Sequence, residues 1–312
     1  MPQEKKEYVS DAWKDGIFKD KVLFCTGGAG SICSAQTRAL VHLGASAAII
    51  GRNKEKTERM AADIATARPG ARVIAIAGVD VRDPKALQEA ADRTARELGG
   101  IDFVIAGAAG NFLAPMSQLS ANAFKSVMDI DVLGSYNTVK ATMPYLVQSA
   151  KSSAADATHP STGGRIIFVS ATIHYTGLPL QTHVSAAKAA VDSLSNAVAI
   201  EYGPLGVTSN VIAPGPIGGT EGMARLAKSD PESVAKSAKK VPVGRLGSVK
   251  DIADATVYLF SDAGNFVNGS TVVVDGGSWR VSAGNPGSTW EYPDFILSGA
   301  TVEGVKGGKA KL

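Results

Sequence analysis

Short apolar runs alternate with longer amphipathic stretches along most of this chain, and that alternation restricts the fold more than any other feature. Residues 21–26 (KVLFCT) read as a buried strand, and a helical pattern follows over roughly 31–43. The strand 47–50, a charged helix near 54–67, the strand 72–77, a helix near 84–98 and the strand 101–106 continue the series. Runs at 165–170, 207–213 and 271–275 complete about seven strands. Short β-branched runs separated by amphipathic segments predict an α/β fold of the Rossmann type, a doubly wound parallel sheet with helices on both faces. Ligands on such sheets bind at the carboxyl ends of the strands, near the reversal of strand order. The expected organisation is an N-terminal extension over 1–19, one domain over 20–280 and an irregular tail over 281–312. Residues 151–164 (KSSAADATHPSTGG) read as a surface insertion.

Composition removes several classes of function. A chain of 312 residues, 45% hydrophobic, can form one large core. A net charge of +3 is too small to argue for nucleic acid. Two cysteines, Cys25 and Cys33, suit a reducing compartment better than a disulfide framework. No apolar run approaches the ~20 residues of a membrane span, the N-terminus does not resemble a secretory signal, and no cluster has metal-ligand spacing. The expectation is a soluble intracellular protein.

The first strand runs into Thr26-Gly27-Gly28-Ala29-Gly30-Ser31-Ile32-Cys33. Glycines between a strand and a helix let the backbone approach a pyrophosphate that the helix N-terminus stabilises. Ser31 and Cys33 stand where the common TGxxxGxG form has further glycines. The second strand ends at Gly51-Arg52-Asn53, with Lys54 and Lys56 beyond. An arginine here suits a 2′-phosphate, whereas a carboxylate would suit a 2′-hydroxyl, so NADPH is expected over NADH. Asp80, in Val79-Asp80-Val81-Arg82, is placed to reach the adenine; its alternative is a solvated turn.

With these motifs the chain resembles the short-chain dehydrogenases/reductases, and within them the 2,4-dienoyl-CoA reductases of the peroxisomal branch. The resemblance spans about residues 20–277. It rests on Ala108-Ala109-Gly110-Asn111-Phe112, on Val127-Met128-Asp129-Ile130-Asp131 leading to Gly134, on Ser185-Ala186-Ala187-Lys188-Ala189-Ala190-Val191-Asp192, and on Ala213-Pro214-Gly215-Pro216-Ile217 followed by Gly219-Thr220-Glu221-Gly222. Four residues before Lys188, where the wider superfamily carries its catalytic tyrosine, stands Val184, and Asp131 replaces the usual asparagine. Both departures are shared by the peroxisomal reductases.

The chemistry accounts for the pattern. Hydride addition to the far carbon of a conjugated dienoyl thioester moves charge to the thioester oxygen, and a proton then goes to the α-carbon. No alcohol forms, so no tyrosine is needed to protonate one; donors near the oxygen and an acid for carbon are needed instead. The resemblance assigns Lys188 to the nicotinamide ribose and the proton relay, and Asp131 to that relay through water. Tyr175, beside His174, is a candidate oxyanion donor. For the cofactor it implies Gly27, Gly28, Ala29, Gly30, Ser31, Ile32, Arg52, Asn53, Lys56, Asp80, Val81, Ala108, Lys188, Pro214, Gly215, Pro216, Ile217 and Thr220. For the acyl-CoA substrate it implies Arg52, Arg82, Phe112, Ser120, Ala121, Asn122 and Arg225; Arg82 and Arg225 also read as ordinary surface arginines. Residues 218–238 are a candidate lid.

A trans-2-enoyl-CoA reductase and a catalytically inactive NADP-binding protein remain as alternatives. A homo-oligomer, dimer or tetramer, is implied by the family. The terminal Ala310-Lys311-Leu312 resembles a peroxisomal address read by an import receptor.

Overall fold

The computed structural model describes residues 3–153, 163–226, 230–281 and 298. In chain order the main elements are β1 (Val22–Thr26), α1 (Ser31–His42), β2 (Ser46–Gly51), α2 (Lys54–Ala65), β3 (Val73–Ala77), α3 (Pro84–Leu98) and β4 (Phe103–Ala106). They continue with α4 (Ala121–Met128), α5 (Gly134–Ser153), β5 (Arg165–Val169), α6 (Ile173–Thr176), α7 (Thr182–Tyr202) and β6 (Thr208–Pro214). The last are α8 (Glu221–Leu226), α9 (Pro231–Ala238), α10 (Val249–Phe260), β7 (Thr271–Val274) and α11 (Ser278–Val281). The seven strands form one sheet in the order β3-β2-β1-β4-β5-β6-β7. Every neighbouring pair is parallel. The order reverses between β1 and β4, where a ligand crevice is expected.

Side chains along each strand alternate between two cores. Phe24, Ile50, Val104 and Phe168 face Leu87, Val139 and Val191 of α3, α5 and α7. Leu23, Ile49, Phe103 and Ile167 face Leu40, Ile64 and Ile252 of α1, α2 and α10. Both faces are covered, which is why the strands read as continuous apolar runs instead of alternating ones. Helix ends follow local chemistry. Asp83 caps α3, accepting from the backbone N–H groups of Lys85 and Ala86, with Pro84 at the first helical position and left-handed Gly99 at the end.

The N-terminal extension is part of the second core. Tyr8, Val9 and Phe18 are buried there. The Ser10 backbone N–H and the Trp13 indole N–H donate to Asp254 Oδ1 of α10 at 2.8 and 3.0 Å. Sequence reading set 1–19 apart because it lies outside the strand–helix alternation; irregular chain can still bury its aromatic side chains. Of the expected insertion, 154–162 lies outside the described residues, as does the tail except Val281 and Ser298. Among the described residues, no helix is long and apolar enough to cross a membrane, and no cluster could hold a metal ion.

Candidate active site

A cleft of about 780 Å³ opens over the carboxyl ends of β1, β2, β4 and β5. Its floor is the turn after β1. Gly27 has φ +68°, and a Cβ there would meet Gly107 O at 2.7 Å and the Ala108 Cα at 2.9 Å. Only glycine lets this turn close against the end of β4. Gly30 N–H donates to Gly27 O at 2.9 Å, and α1 starts at Ser31, so Gly30, Ser31 and Ile32 bring a helix N-terminus to the cleft wall. That cradle fits the pyrophosphate of a dinucleotide. Gly28 packs away from the cleft, since a Cβ would meet Ile49 Cβ at 2.6 Å. The two departures from the common glycine pattern have visible uses. Ser31 Oγ accepts from the Glu221 N–H at 3.2 Å, tying α8 to the turn, while the Cys33 thiol lies 3.8 Å from Gly107 O.

At the end of β2, Arg52, Asn53 and Lys56 line the cleft with Asp80 and Val81 from beyond β3. Asn53 caps α2 through the Lys56 N–H at 2.8 Å. Arg82 Nε and Nη2 reach Asp80 at 3.0 and 2.7 Å, and Arg52 Nη1 lies 4.0 Å from the same carboxylate. The Arg82 guanidinium holds the Asp80 carboxyl below the usual carboxylate range, against the opposing effect of burial. Lys56 Nζ pairs with Glu221 Oε1 across the cleft at 2.5 Å.

The other end of the cleft is a buried corner. A single π-helical turn, Asp129–Leu133, joins α4 to α5 and carries Asp131, which is 0% exposed. Asp131 Oδ1 accepts the Gly110 N–H at 2.7 Å. Its Oδ2 lies 3.0 Å from Lys188 Nζ. This contact is an ion pair without the alignment of a directed hydrogen bond, whereas Nζ donates to Val169 O of β5 at 3.1 Å. Lys188 lines the cleft and Asp131 stands behind it. Val184, one turn before Lys188, is buried against Val127 and Ala187, with Phe112, Met128, Val132 and Ile173 packed around them. No hydroxyl occupies the position that an alcohol-forming reductase needs.

Several polar atoms near this corner are buried without a partner: Asn111 Oδ1, Ser170 Oγ, Gln181 Oε1 and both ring nitrogens of His183. Buried polar groups are normally satisfied, so such a concentration marks a place completed by ligand or water. His183 stacks on Phe112 with ring centroids 4.2 Å apart, and burial lowers its pKa, favouring the neutral ring. Gln181 Nε2 donates to Phe112 O at 3.1 Å. Two buried side chains at the start of α7 thereby hold the Phe112 segment.

The expected residues are not all together. Gly27, Ala29, Gly30, Ser31, Ile32, Arg52, Asn53, Lys56, Asp80, Val81, Ala108, Lys188 and Thr220 line the cleft. Pro214, which ends β6, and Gly215, Pro216 and Ile217 after it are not among the residues that line the cleft; Ile217 pairs with Gly247. Ser120 caps α4, and Ala121 and Asn122 form its exposed first turn. The side chain of Arg225 lies outside the described residues. Arg82 sits at the Asp80 end of the cleft, paired with that carboxylate. Tyr175 is also engaged elsewhere: its hydroxyl donates to Asp192 Oδ2 at 3.0 Å, beside the His174 Nε2 contact at 2.8 Å. Burial first, and Asp192 second, push the Tyr175 phenol well above its ordinary pKa. The oxyanion role expected of Tyr175 meets a hydroxyl already committed to a carboxylate. Sequence reading missed Asn111 and Ser170 as site residues, although the strand-end rule applied to β4 and β5 points at both.

Comparison with known proteins agrees with this geometry. The family model described as enoyl-(acyl carrier protein) reductase matches residues 27–278. The peroxisomal 2,4-dienoyl-CoA reductase of Saccharomyces cerevisiae is 48% identical over 297 residues, 95% of this chain and 96% of that relative. The enzyme of the same description from Danio rerio is 40% identical over 267 residues, 86% of this chain and 84% of its own. In fold, the crystal structure of levodione reductase superposes with a TM-score of 0.75 at 24% identity, covering 84% of this chain and 99% of that one. The chain belongs to the short-chain dehydrogenase/reductase family, in the branch of the peroxisomal 2,4-dienoyl-CoA reductases.

Proposed function

We propose that this protein reduces 2,4-dienoyl-CoA esters to 3-enoyl-CoA with NADPH, in the peroxisome. The observation that carries the reading is the reaction corner, where a buried Asp131–Lys188 pair stands beside a valine in place of a phenol. The descriptions of the relatives in yeast and zebrafish support the substrate and the product. The family's dinucleotide fold implies NAD(P)H, and Arg52 with Lys56 at the end of β2 supports the phosphorylated form.

When bound, the cofactor supplies a hydride to the far carbon of the diene. The protein's part is positioning and proton management. Lys188, held by Val169 O and Asp131, presents its ammonium to the cleft, where it can bind ribose hydroxyls and lower the cost of negative charge. Asp131, fixed by the Gly110 N–H, orients that ammonium and, through water, steers the proton to the α-carbon. Phe112, braced by Gln181 and His183, offers an apolar face to the acyl chain. Arg82, beside Arg52, is placed for phosphate groups of either nucleotide. Ser120, Ala121, Asn122 and Arg225 remain the proposed outer contacts of the thioester and its nucleotide.

Incubation with NADPH and a panel of acyl-CoA esters tests the reading. The expected outcome is 3-enoyl-CoA from the 2,4-diene and no alcohol from a 3-ketoacyl ester, because an alkoxide there would face the Val184 methyl groups. A saturated product from 2-enoyl-CoA would favour an enoyl reductase, and cofactor binding without any turnover an inactive protein. A homo-oligomer, dimer or tetramer, belongs to the same reading; exposed Tyr136 on α5 and Ile200 on α7 supply apolar surface for it. Location rests on the peroxisomal relatives and on Ala310-Lys311-Leu312, recognised by an import receptor. Deleting residues 310–312 should leave catalysis unchanged and strand the protein in the cytosol.

A further inference from the structure

The chain leaving β5 is held against α7 at three successive turns of that helix. Val184, Lys188 and Asp192 are four residues apart and so share one face. Val184 belongs to the small apolar cluster against which Ile173, the first residue of α6, packs. Lys188 Nζ donates to Val169 O at the end of β5. Asp192 takes the next two residues of α6: its Oδ2 accepts from His174 Nε2 at 2.8 Å and from the Tyr175 hydroxyl at 3.0 Å. An ionised carboxylate can only accept, so the hydrogen of His174 sits on Nε2. The His174 and Asp192 side chains are 9% and 14% exposed, which leaves their contact little screened by water. The Tyr175 ring lies 4.1 Å from the His174 ring and 5.4 Å from that of Trp279 on α11. The α6 helix has four residues and ends at Gly177, with φ +71°. So short a helix is not stable alone and takes its position from what it is packed against.

We infer that Asp192 is a positioning residue for the reaction: by holding His174 and Tyr175 it seats α6 so that Ile173 closes the apolar side of the reaction corner against Val184. His174, Tyr175 and Asp192 are not among the residues that line the cleft, so the carboxylate acts through Ile173 and not on the substrate. Val184 offers only apolar contact at its turn of α7, and apolar contact has no direction. Hydrogen bonds do have one. The two that converge on Asp192 fix the placement of α6 that the valine contact leaves open. The backbone on either side is tied, Thr172 N–H to Pro214 O and Ala114 N–H to Leu180 O, each at 3.1 Å. Between those ties the position of Ile173 depends on the side chains of α6. A displaced Ile173 opens the corner where the diene must lie against the hydride donor. A misplacement of about 1 Å at a reacting centre can cost on the order of 10²-fold in rate. The Tyr175 hydroxyl thereby serves the corner through Asp192 instead of as an oxyanion donor.

The inference rests on the dienoyl-CoA reading, and a double-mutant cycle keeps the two separable. Asp192→Ala, Ile173→Ala and the double variant are compared with the unmodified protein for kcat and KM with 2,4-hexadienoyl-CoA, and for NADPH binding by fluorescence. Asp192→Ala should lose about ten- to hundred-fold in kcat/KM for the acyl substrate, with NADPH affinity nearly unchanged. In the Ile173→Ala background the same substitution should cost little more, because the residue it acts through is gone. Independent sites combine their effects to within about two-fold. Losses that simply multiply in the double variant therefore overturn the inference, as does an Asp192→Ala protein whose kcat/KM stays within about two-fold of the unmodified value. Should Asp192→Ala fail to fold, Tyr175→Phe removes one of the two hydrogen bonds and takes its place in the cycle, with the same criteria. If the unmodified protein binds dienoyl-CoA but yields no 3-enoyl product, the reaction assignment falls, and the cycle read on acyl-CoA affinity decides the role of Asp192.

Discussion

The two ends of the cleft solve opposite electrostatic problems. At the Arg52 end, charges are plentiful, partly exposed and already paired with one another: Arg82 and Arg52 with Asp80, and Lys56 with Glu221. At the Lys188 end, one ion pair is almost fully buried, and the polar atoms around it lack partners. Water screens the first set, so each of its pairs contributes little and exchanges easily for a phosphate. The second set is held in a low-dielectric corner, where a misplaced or missing group is costly and an aligned one is strong. On the proposed function this contrast is a division of labour: the exposed end would select a cofactor by exchange of ions, and the buried end would perform chemistry with groups held in place.

The largest effect should therefore come from the buried pair. Asp131→Asn keeps the shape that accepts the Gly110 N–H while removing the charge that faces Lys188. Turnover should fall by about 10²–10⁴, with NADPH affinity nearly unchanged. Alanine is the less informative choice, because stripping one partner from a buried pair leaves an uncompensated charge and costs about 3–5 kcal/mol. Near-normal turnover of Asp131→Asn, measured by NADPH consumption with dienoyl-CoA, would remove the carboxylate from the proposed relay and weaken the contrast between the two ends.

The same division explains what the sequence disclosed. The strands, the glycine turn and the extent of α3 were legible because each is written in consecutive residues; the helix expected near 84–98 is α3, Pro84–Leu98. Arg52 was legible at a strand end for the same reason. The buried corner brings together segments from β4, the π-helical turn, β5 and α7, separated by tens of residues. Local periodicity says nothing about such a meeting. Asp131 and Lys188 were reached through family resemblance, and their 3.0 Å contact only through the fold. Tyr175 shows the limit of spacing arguments, since its partner Asp192 lies on the far side of a turn whose path the sequence does not specify. The N-terminal extension was hidden differently: Tyr8, Val9 and Phe18 lie in irregular chain, where burial leaves no period.

At the exposed end the next effect is intermediate. Arg52→Asp replaces a cation near the expected 2′-phosphate by an anion, beside an Asp80 already present. A hydrogen bond to a charged group contributes about 1.5–3 kcal/mol, or roughly ten- to hundred-fold. NADPH should weaken by about that factor while NADH improves relative to it, with kcat at saturation little altered. Titrating both cofactors into the variant measures the switch. Equal use of NADPH and NADH by the unmodified protein would deny this end its selecting role.

The smallest effect is also the most discriminating, because its sign is unusual. Lys56 is bonded to Glu221 across the cleft, and side-chain exposures of 35% and 53% put the pair largely in water. Such pairs contribute about 0–1 kcal/mol. A phosphate entering beside Lys56 must compete with the Glu221 carboxylate and is repelled by it. Glu221→Gln keeps the backbone N–H that donates to Ser31 Oγ, so α8 stays tied to the glycine turn. It removes the competing charge. NADPH should then bind up to about five-fold tighter, NADH should be unchanged, and the gain should shrink as salt screens the pair. Tighter NADPH with unchanged NADH would place the exchange of ions at Lys56 itself. A weaker NADPH complex would mean that the carboxylate serves to draw α8 over the cleft, and the Arg52 end would then share the fixed character assigned to the Lys188 corner.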